Sequence, residues 1–239
     1  MTIVRYRKNT GGFARYPQSF TRHDLHRLGL LLDGADAVVP LRESYDAPAG
    51  TVAIRHDVDH NLEHAVRFAE WEAKRGYRAS YFVLPDAWYA RDRQYASQLR
   101  QLVELGHEVG LHSNVCGIAY AEGTLTAVDG SALPVGFCER PAEIMREQLA
   151  GLRDLGLDIV GCAAHGAGIP GINLGLWTAG YSPQDFGLEY EAYHLHRKAF
   201  YATDNRGSWR TSDGPASAIE LSSTLATHIL MHPCHWDLP

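Results

Sequence analysis

The chain has 239 residues, 45% hydrophobic and 21% charged, with a net charge of -6, which suffices for one substantial core in an ordinary globular protein. That balance gives no long-range attraction to nucleic acid or to anionic membrane, so neither is expected as a partner. No apolar run approaches the roughly 20 residues of a membrane span and no apolar segment follows the basic N-terminus, so a cytoplasmic protein is expected. Its four cysteines, Cys116, Cys138, Cys162 and Cys234, form no C-x-x-C pair, and read as reduced thiols rather than as a zinc ribbon or a disulfide framework.

The first predicted element is a helix. Thr21 stands as its N-cap with Asp24 three residues on, and Leu25, Leu28 and Leu32 make one apolar stripe. Residues 34–50 lack periodicity and hold Pro40 and Pro48, which reads as a connector with room for a short strand. The expected division is a lead-in, helix and connector over residues 1–50 packed on a main domain over 51–239.

The main domain opens with the apolar run Thr51-Val52-Ala53-Ile54, closed by Arg55-His56-Asp57-Val58-Asp59-His60. Two carboxylates one residue apart at the end of a buried strand are costly unless a metal, a proton or a cation neutralises them. The competing reading is a solvated turn in which one of these aspartates, or Asn61, caps the next helix.

A pattern then recurs three times: an amphipathic helix, a glycine where it stops, and a short strand. The first copy has Leu62, Ala65, Ala69 and Ala73 on one face, ends at Gly76, and leads into Ala79 to Leu84. The second carries Leu99, Leu102 and Val103, ends at Gly106, and leads into Glu108 to His112. The third opens with Pro141, carries Met145, Leu149 and Leu152, ends at Gly156, and leads into Asp158 to His165. Strands separated by helices of this length pair in parallel through right-handed crossovers. The turn His56 to His60 has no glycine to cradle a phosphate, which removes most support for a dinucleotide fold and favours a (β/α) barrel.

In a barrel the chemistry collects at the C-terminal ends of the strands. The polar residues there are Asp57 and Asp59, His112, His165, Asp204 after Ala199-Phe200-Tyr201-Ala202, and His232 after His228-Ile229-Leu230-Met231. The stretch from Gly166 to Tyr193, rich in Gly, Pro and aromatics, reads as a long loop shaping a cleft, with room for one short helix near Trp177. His60, His64, His194 and His196 are expected to be solvated, and His235 to be part of a packed terminal segment anchored by Trp236.

Asp57-Val58-Asp59, with Gly110-Leu111-His112-Ser113-Asn114, Ala164-His165-Gly166, Thr203-Asp204-Asn205-Arg206-Gly207-Ser208-Trp209 and Leu230-Met231-His232-Pro233, resembles the polysaccharide deacetylase superfamily, also called the NodB-homology or carbohydrate esterase family 4 group. The likeness runs from about Val52 to His235. It implies an α/β fold, a distorted (β/α) barrel of the NodB-homology type, carrying one divalent metal ion, often zinc, and removing an acyl group from an N-acylated sugar. By motif position Asp57 matches the family's catalytic base, Asp59 its carboxylate ligand, His112 its first ligand histidine and His232 its general acid. Asp204 and Trp209 fall where the family keeps an Asp and a Trp that orient and wall the base; Arg210 is a candidate partner for Asp204 in a surface ion pair. The motif's second histidine would be at position 116, where this chain has Cys116, and the family's Arg-x-Pro segment is replaced by Ala163-Ala164-His165-Gly166, so the arginine that steadies the base has no counterpart there.

Catalytic zinc usually takes three protein ligands and leaves a fourth position open. Asp59 and His112 supply two, and the third is His165, the Cys116 thiolate or the Asn114 amide oxygen. His165 is preferred because it needs no helical excursion from its strand. The reading is a metal-dependent hydrolase of C-N amide bonds acting on an N-acetylated sugar or sugar-containing metabolite. Its rivals are a hydrolase of another amide or formamide on the same site, and a catalytically silent barrel that binds carbohydrate. The oligomeric state is not legible.

Overall fold

The computed structural model describes residues 25–125, 139–166, 171–195, 200–204, 226–236 and 238. Helix α1 (Leu25–Leu32) buries Leu25, Leu28 and Leu32, the predicted stripe; its expected cap, Thr21, lies outside the described residues. The connector contributes strand β1 (Ala37–Val39), which pairs in parallel with β2 (Thr51–Val58) through Ala37 opposite Thr51. A short 3-10 turn after β1 sends Leu41 into the barrel interior beside Ala53. The segment before residue 51 therefore supplies a strand and an interior side chain to the same sheet.

The three helix-glycine-strand units form as the pattern predicts. They are α2 (Leu62–Ala73) and β3 (Ser80–Val83), α3 (Tyr95–Glu104) and β4 (Glu108–Ser113), then, after the short helix α4 (Val115–Ala121), α5 (Glu139–Asp154) and β5 (Gly161–Ala164). Gly76, Gly106 and Gly156 all take φ between 76° and 90°, the left-handed turn that stops a helix without a Cβ penalty. Within α3, Leu99 and Leu102 are buried but Val103 is 47% exposed, because it sits off the stripe that faces the sheet.

The chain continues through α6 (Gly175–Thr178), β6 (Tyr190–Glu191), α7 (Ala192–Leu195), β7 (Phe200–Thr203) and β8 (Thr227–Met231). Among the described residues eight strands make one sheet, ordered β6-β5-β4-β3-β2-β8-β7 with β1 beside the start of β2, and every pairing is parallel. The sheet is a curled, unclosed barrel, the distorted (β/α) architecture expected from the sequence. Its seam falls between β6 and β7.

Both faces of β2 are covered, as its unbroken burial requires. Val52, Ile54 and Val58 face the helices in the main core, whereas Ala53 faces the interior with Leu41, Phe82, Ala163, Tyr190 and Ala192. Gly110 and Gly161 make room for that plug: a Cβ on Gly110 would lie 2.4 Å from the Phe82 ring, and one on Gly161 would lie 2.2 Å from the Tyr190 ring. With its middle filled by side chains, the barrel is left with open space at the C-terminal ends of the strands, where the polar residues collect. Among the described residues no helix is long and apolar enough to cross a membrane.

Candidate metal centre

Strand alternation fixes the first part of the site. Because Ala53 points into the barrel, so do Arg55 and Asp57. The Arg55 guanidinium donates from Nε to Asp57 Oδ1 at 2.7 Å and from Nη2 to Asp57 Oδ2 at 2.8 Å, a bidentate pair in which both residues are buried. Burial pushes the Asp57 carboxyl up, but the adjacent Arg55 outweighs it and holds the group below the usual carboxylate range. The guanidinium itself stacks over the Tyr193 ring, 4.6 Å from its centroid. The sequence comparison left the base without a counterpart to the family's arginine. Arg55, two residues earlier on the same strand, pairs with Asp57. The signal was present as an i, i+2 spacing on one strand face.

Asp59, His112 and His165 form the second part, from the ends of β2, β4 and β5. His112 Nε2 and His165 Nδ1 are 3.1 Å apart, and Asp59 Oδ1 lies 3.3 Å from the first and 3.5 Å from the second. Asp59 Oδ1 is buried and accepts no well-formed hydrogen bond. The other nitrogen of His112, Nδ1, lies 2.9 Å from the Ala163 carbonyl; as the donor there it leaves Nε2 as a lone pair aimed at the other two atoms. Bonds of about 2.0–2.1 Å to a tetrahedral zinc set neighbouring ligand atoms roughly 3.3–3.4 Å apart. The three edges bracket that value, so the residues fit a small divalent ion with two imidazoles and one carboxylate. The alternatives do not join them. Cys116 is buried in the main core, and the Asn114 amide oxygen accepts from Asn173 Nδ2 at 3.1 Å.

The third part lies across the cavity at the ends of β7 and β8. Asp204 is fully buried and accepts from His232 Nδ1 at 2.6 Å, from the His232 backbone N–H at 3.0 Å and from Trp236 Nε1 at 3.0 Å. Burial alone would lower the His232 pKa; the Asp204 carboxylate outweighs it and raises it to about 9. The same pair holds Asp204 far below its ordinary value against the upward push of burial. His232 Nε2 faces the metal group, 4.0 Å from Asp59 Oδ2. Asp204 is thus buried and holds the imidazole of His232. Trp209 and Arg210 lie outside the described residues.

Neither aspartate of the Asp57-Asp59 pair caps α2. Asn61 does so, accepting from the His64 backbone N–H at 3.0 Å. His64, expected to be solvated, bonds the Trp236 carbonyl at 2.9 Å, while His194 is exposed as expected and His196 lies outside the described residues. His235 joins this group, with Nδ1 3.5 Å from Asp204 Oδ2.

These groups open on one cavity of about 210 Å³, lined by Asp57, Asp59, His112, His165, Gly166, Tyr193, Tyr201, Thr203, Leu230 and His232. It is several times the ~30 Å³ share of one water, so it admits more than solvent. Tyr193, Tyr201 and Thr203 were not legible as site residues. They come from short elements flanking the seam, and only the curl of the sheet turns them inward.

Neither a family model nor a curated protein matches the sequence. Solved structures do. A carbohydrate esterase family 4 (CE4) esterase from Streptococcus mutans superposes with a TM-score of 0.51 at 15% identity, over 80% of this chain and 77% of that one. The chain has the CE4 fold. Two further solved structures align less closely. One is the chitin deacetylase of the fungus Colletotrichum lindemuthianum, with a TM-score of 0.48 and 15% identity over 82% of this chain and 78% of that one. The other is a CE4 pseudoenzyme from Bacillus anthracis, with a TM-score of 0.40 and 15% identity over 76% of this chain and 54% of that one. On the CE4 fold seen here, the cavity and its titratable residues occupy the C-terminal rim of the strands.

Proposed function

We propose that this protein is a metal-dependent hydrolase that cleaves the C-N bond of an N-acyl group, acetyl first, on a sugar or a sugar-containing metabolite. The observation that carries the reading is the convergence, in one cavity, of an aspartate and two histidines spaced for a divalent ion, a carboxylate clamped by Arg55, and a histidine clamped by Asp204. The two departures from the family's motifs are each answered nearby: His165 stands in for the ligand absent at Cys116, and Arg55 for the missing arginine. That pairing favours an active enzyme over a silent barrel.

Asp59, His112 and His165 would hold the ion, zinc first. Bound there, such an ion polarises the acyl carbonyl and acidifies a water. Asp57 is the base: its Oδ2 lies 3.4 Å from His112 Nε2, so it faces the same space, and Arg55 keeps it ionised and ready to take a proton from water. His232 is the acid. Held protonated by Asp204 below a pH of about 9, it delivers its Nε2 proton to the departing amine. Leu230, Tyr193 and Tyr201 wall the space for the acyl group and the first sugar atoms.

The test is release of acetate or formate from a panel of N-acylated sugars by the full chain loaded with Zn2+ or Co2+. Turnover on at least one N-acetylated member is expected. A protein that holds one equivalent of metal yet hydrolyses none of the panel, while binding a sugar, would sink the enzyme reading in favour of a carbohydrate-binding barrel.

A further inference from the structure

His165 is an unusual place to find a ligand of this centre, since its side chain follows β5 where the chain turns away at Gly166. A residue at the free end of a short strand holds an imidazole in place only if its backbone is fixed as well. The backbone N–H of His165 donates to the Ser113 carbonyl at 2.9 Å, continuing the β4-β5 ladder. Its carbonyl leaves the ladder and is taken by a side chain: Asn173 Nδ2 donates to His165 O at 2.8 Å.

Asn173 is 2% exposed and arrives from the loop region, in a turn opened by Gly171 at φ 74°. Its amide is fully used. Besides the His165 carbonyl, Nδ2 donates to Asn114 Oδ1 at 3.1 Å, and Oδ1 accepts from the Gly117 N–H at 3.0 Å. Asn114, just after His112 on β4, is itself held by donating from Nδ2 to Asp86 Oδ2 at 2.9 Å. An unbroken chain of side-chain amides therefore runs behind the centre and ties the segment after β3 to the ends of β4 and β5. Gly117 belongs to it: a Cβ there would lie 2.3 Å from Asn114 Oδ1. Any larger residue would push the Asn114 amide out of line.

We infer that Asn173, braced by Asn114, is a positioning residue that sets His165 as the third ligand and so allows this chain to work without a histidine at position 116. The inference rests on the metal-centre reading above. The amide chain takes the place of the helical turn that would otherwise present the third imidazole from the same segment as His112. It also gives the Gly/Pro-rich loop a task at the centre, because Asn173 fixes the loop to the ligand strand.

The experiment is Co2+ titration of the full-length protein, followed by the visible ligand-field bands, with thermal unfolding of the metal-free form in parallel. Asn173→Ala and Gly117→Ala are both neutral changes that touch no ligand. Each is expected to weaken Co2+ binding, Asn173→Ala by about 10- to 100-fold, and to alter the bands. Equal affinity and identical bands in the variants and the unmutated protein would overturn the inference. If Asn173→Ala does not fold, Gly117→Ala decides. Absence of Co2+ binding by the unmutated protein would instead overturn the metal centre itself, a result distinct from intact binding that is indifferent to Asn173.

Discussion

Two groups of the same composition face each other across the cavity, and they are built for different tasks. Asp59, His112 and His165 on one side, and Asp204, His232 and His235 on the other, are each an aspartate and two histidines within 4.8 Å. On the first side Asp59 Oδ1 accepts no well-formed hydrogen bond and His112 Nδ1 is spent on a carbonyl, so one oxygen and two imidazole nitrogens converge on one point. On the second side donors converge on a carboxylate: the His232 backbone, the His232 ring and the Trp236 indole all reach Asp204. A group of lone pairs suits a cation, whereas a carboxylate already saturated with N–H groups suits the storage of a proton. The lesson is that residue types alone do not define such a site; the outer hydrogen bonds do.

Several substitutions break or sharpen this contrast. The largest effect is expected from Asp59→Ala or His165→Ala, which should abolish stoichiometric metal uptake, read by elemental analysis of the purified protein, while Asp204→Asn leaves uptake intact. Metal loss in Asp204→Asn and retention in His165→Ala would reverse the assignment of the two groups. Next, Asp57→Asn should keep the metal and lower kcat by about 100- to 10,000-fold, the usual weight of a general base; near-normal turnover would remove Asp57 from that role.

Arg55→Met leaves the Asp57 carboxylate buried without its cation, an expected loss of about 3–5 kcal/mol in unfolding free energy by denaturant titration. Arg55→Lys should recover part of the stability but not the two-pronged hold on Asp57. A milder effect concerns proton storage. The His232 pKa is raised to about 9 in the folded chain against an ordinary 6.5. The pair it makes with Asp204 therefore adds stability that is fully present below pH 6.5 and is lost as the pH rises through about 9. NMR titration of the metal-free protein should find this value, and Asp204→Asn should lower it by more than one unit and move the alkaline limb of kcat/KM the same way. The smallest effect is that of Cys116→Ala, which should leave metal content unchanged and cost on the order of 1 kcal/mol of packing.

Much of this was written in local pattern. Leu62, Ala65 and Ala69 predict the face that α2 buries, and glycines at 76, 106 and 156 mark where helices stop, because both features depend only on neighbouring residues. Rim residues such as Asp59, His112 and His165 could be named since each ends a predicted strand. Arg55 was visible but unassigned: period-2 alternation puts it beside Asp57, yet the pairing matters only once that face is known to be interior. Asn173 and Tyr193 gave no signal of their own, lying in aperiodic sequence read only as a cleft-shaping loop.

By itself, then, the sequence determined the parallel pairing of the strands, the strand ends that carry the polar groups and the likeness to a deacetylase barrel, all of which follow from periodicity and motif spacing. Tertiary structure alone decided which aspartate serves which histidine, that Cys116 stays in the core, and that Arg55 and Asn173 support the centre. The physical reason is range: a hydrogen bond such as that from Asn173 to His165, or a stack such as Arg55 on Tyr193, forms only after the sheet has curled and brought distant segments within about 3 to 5 Å.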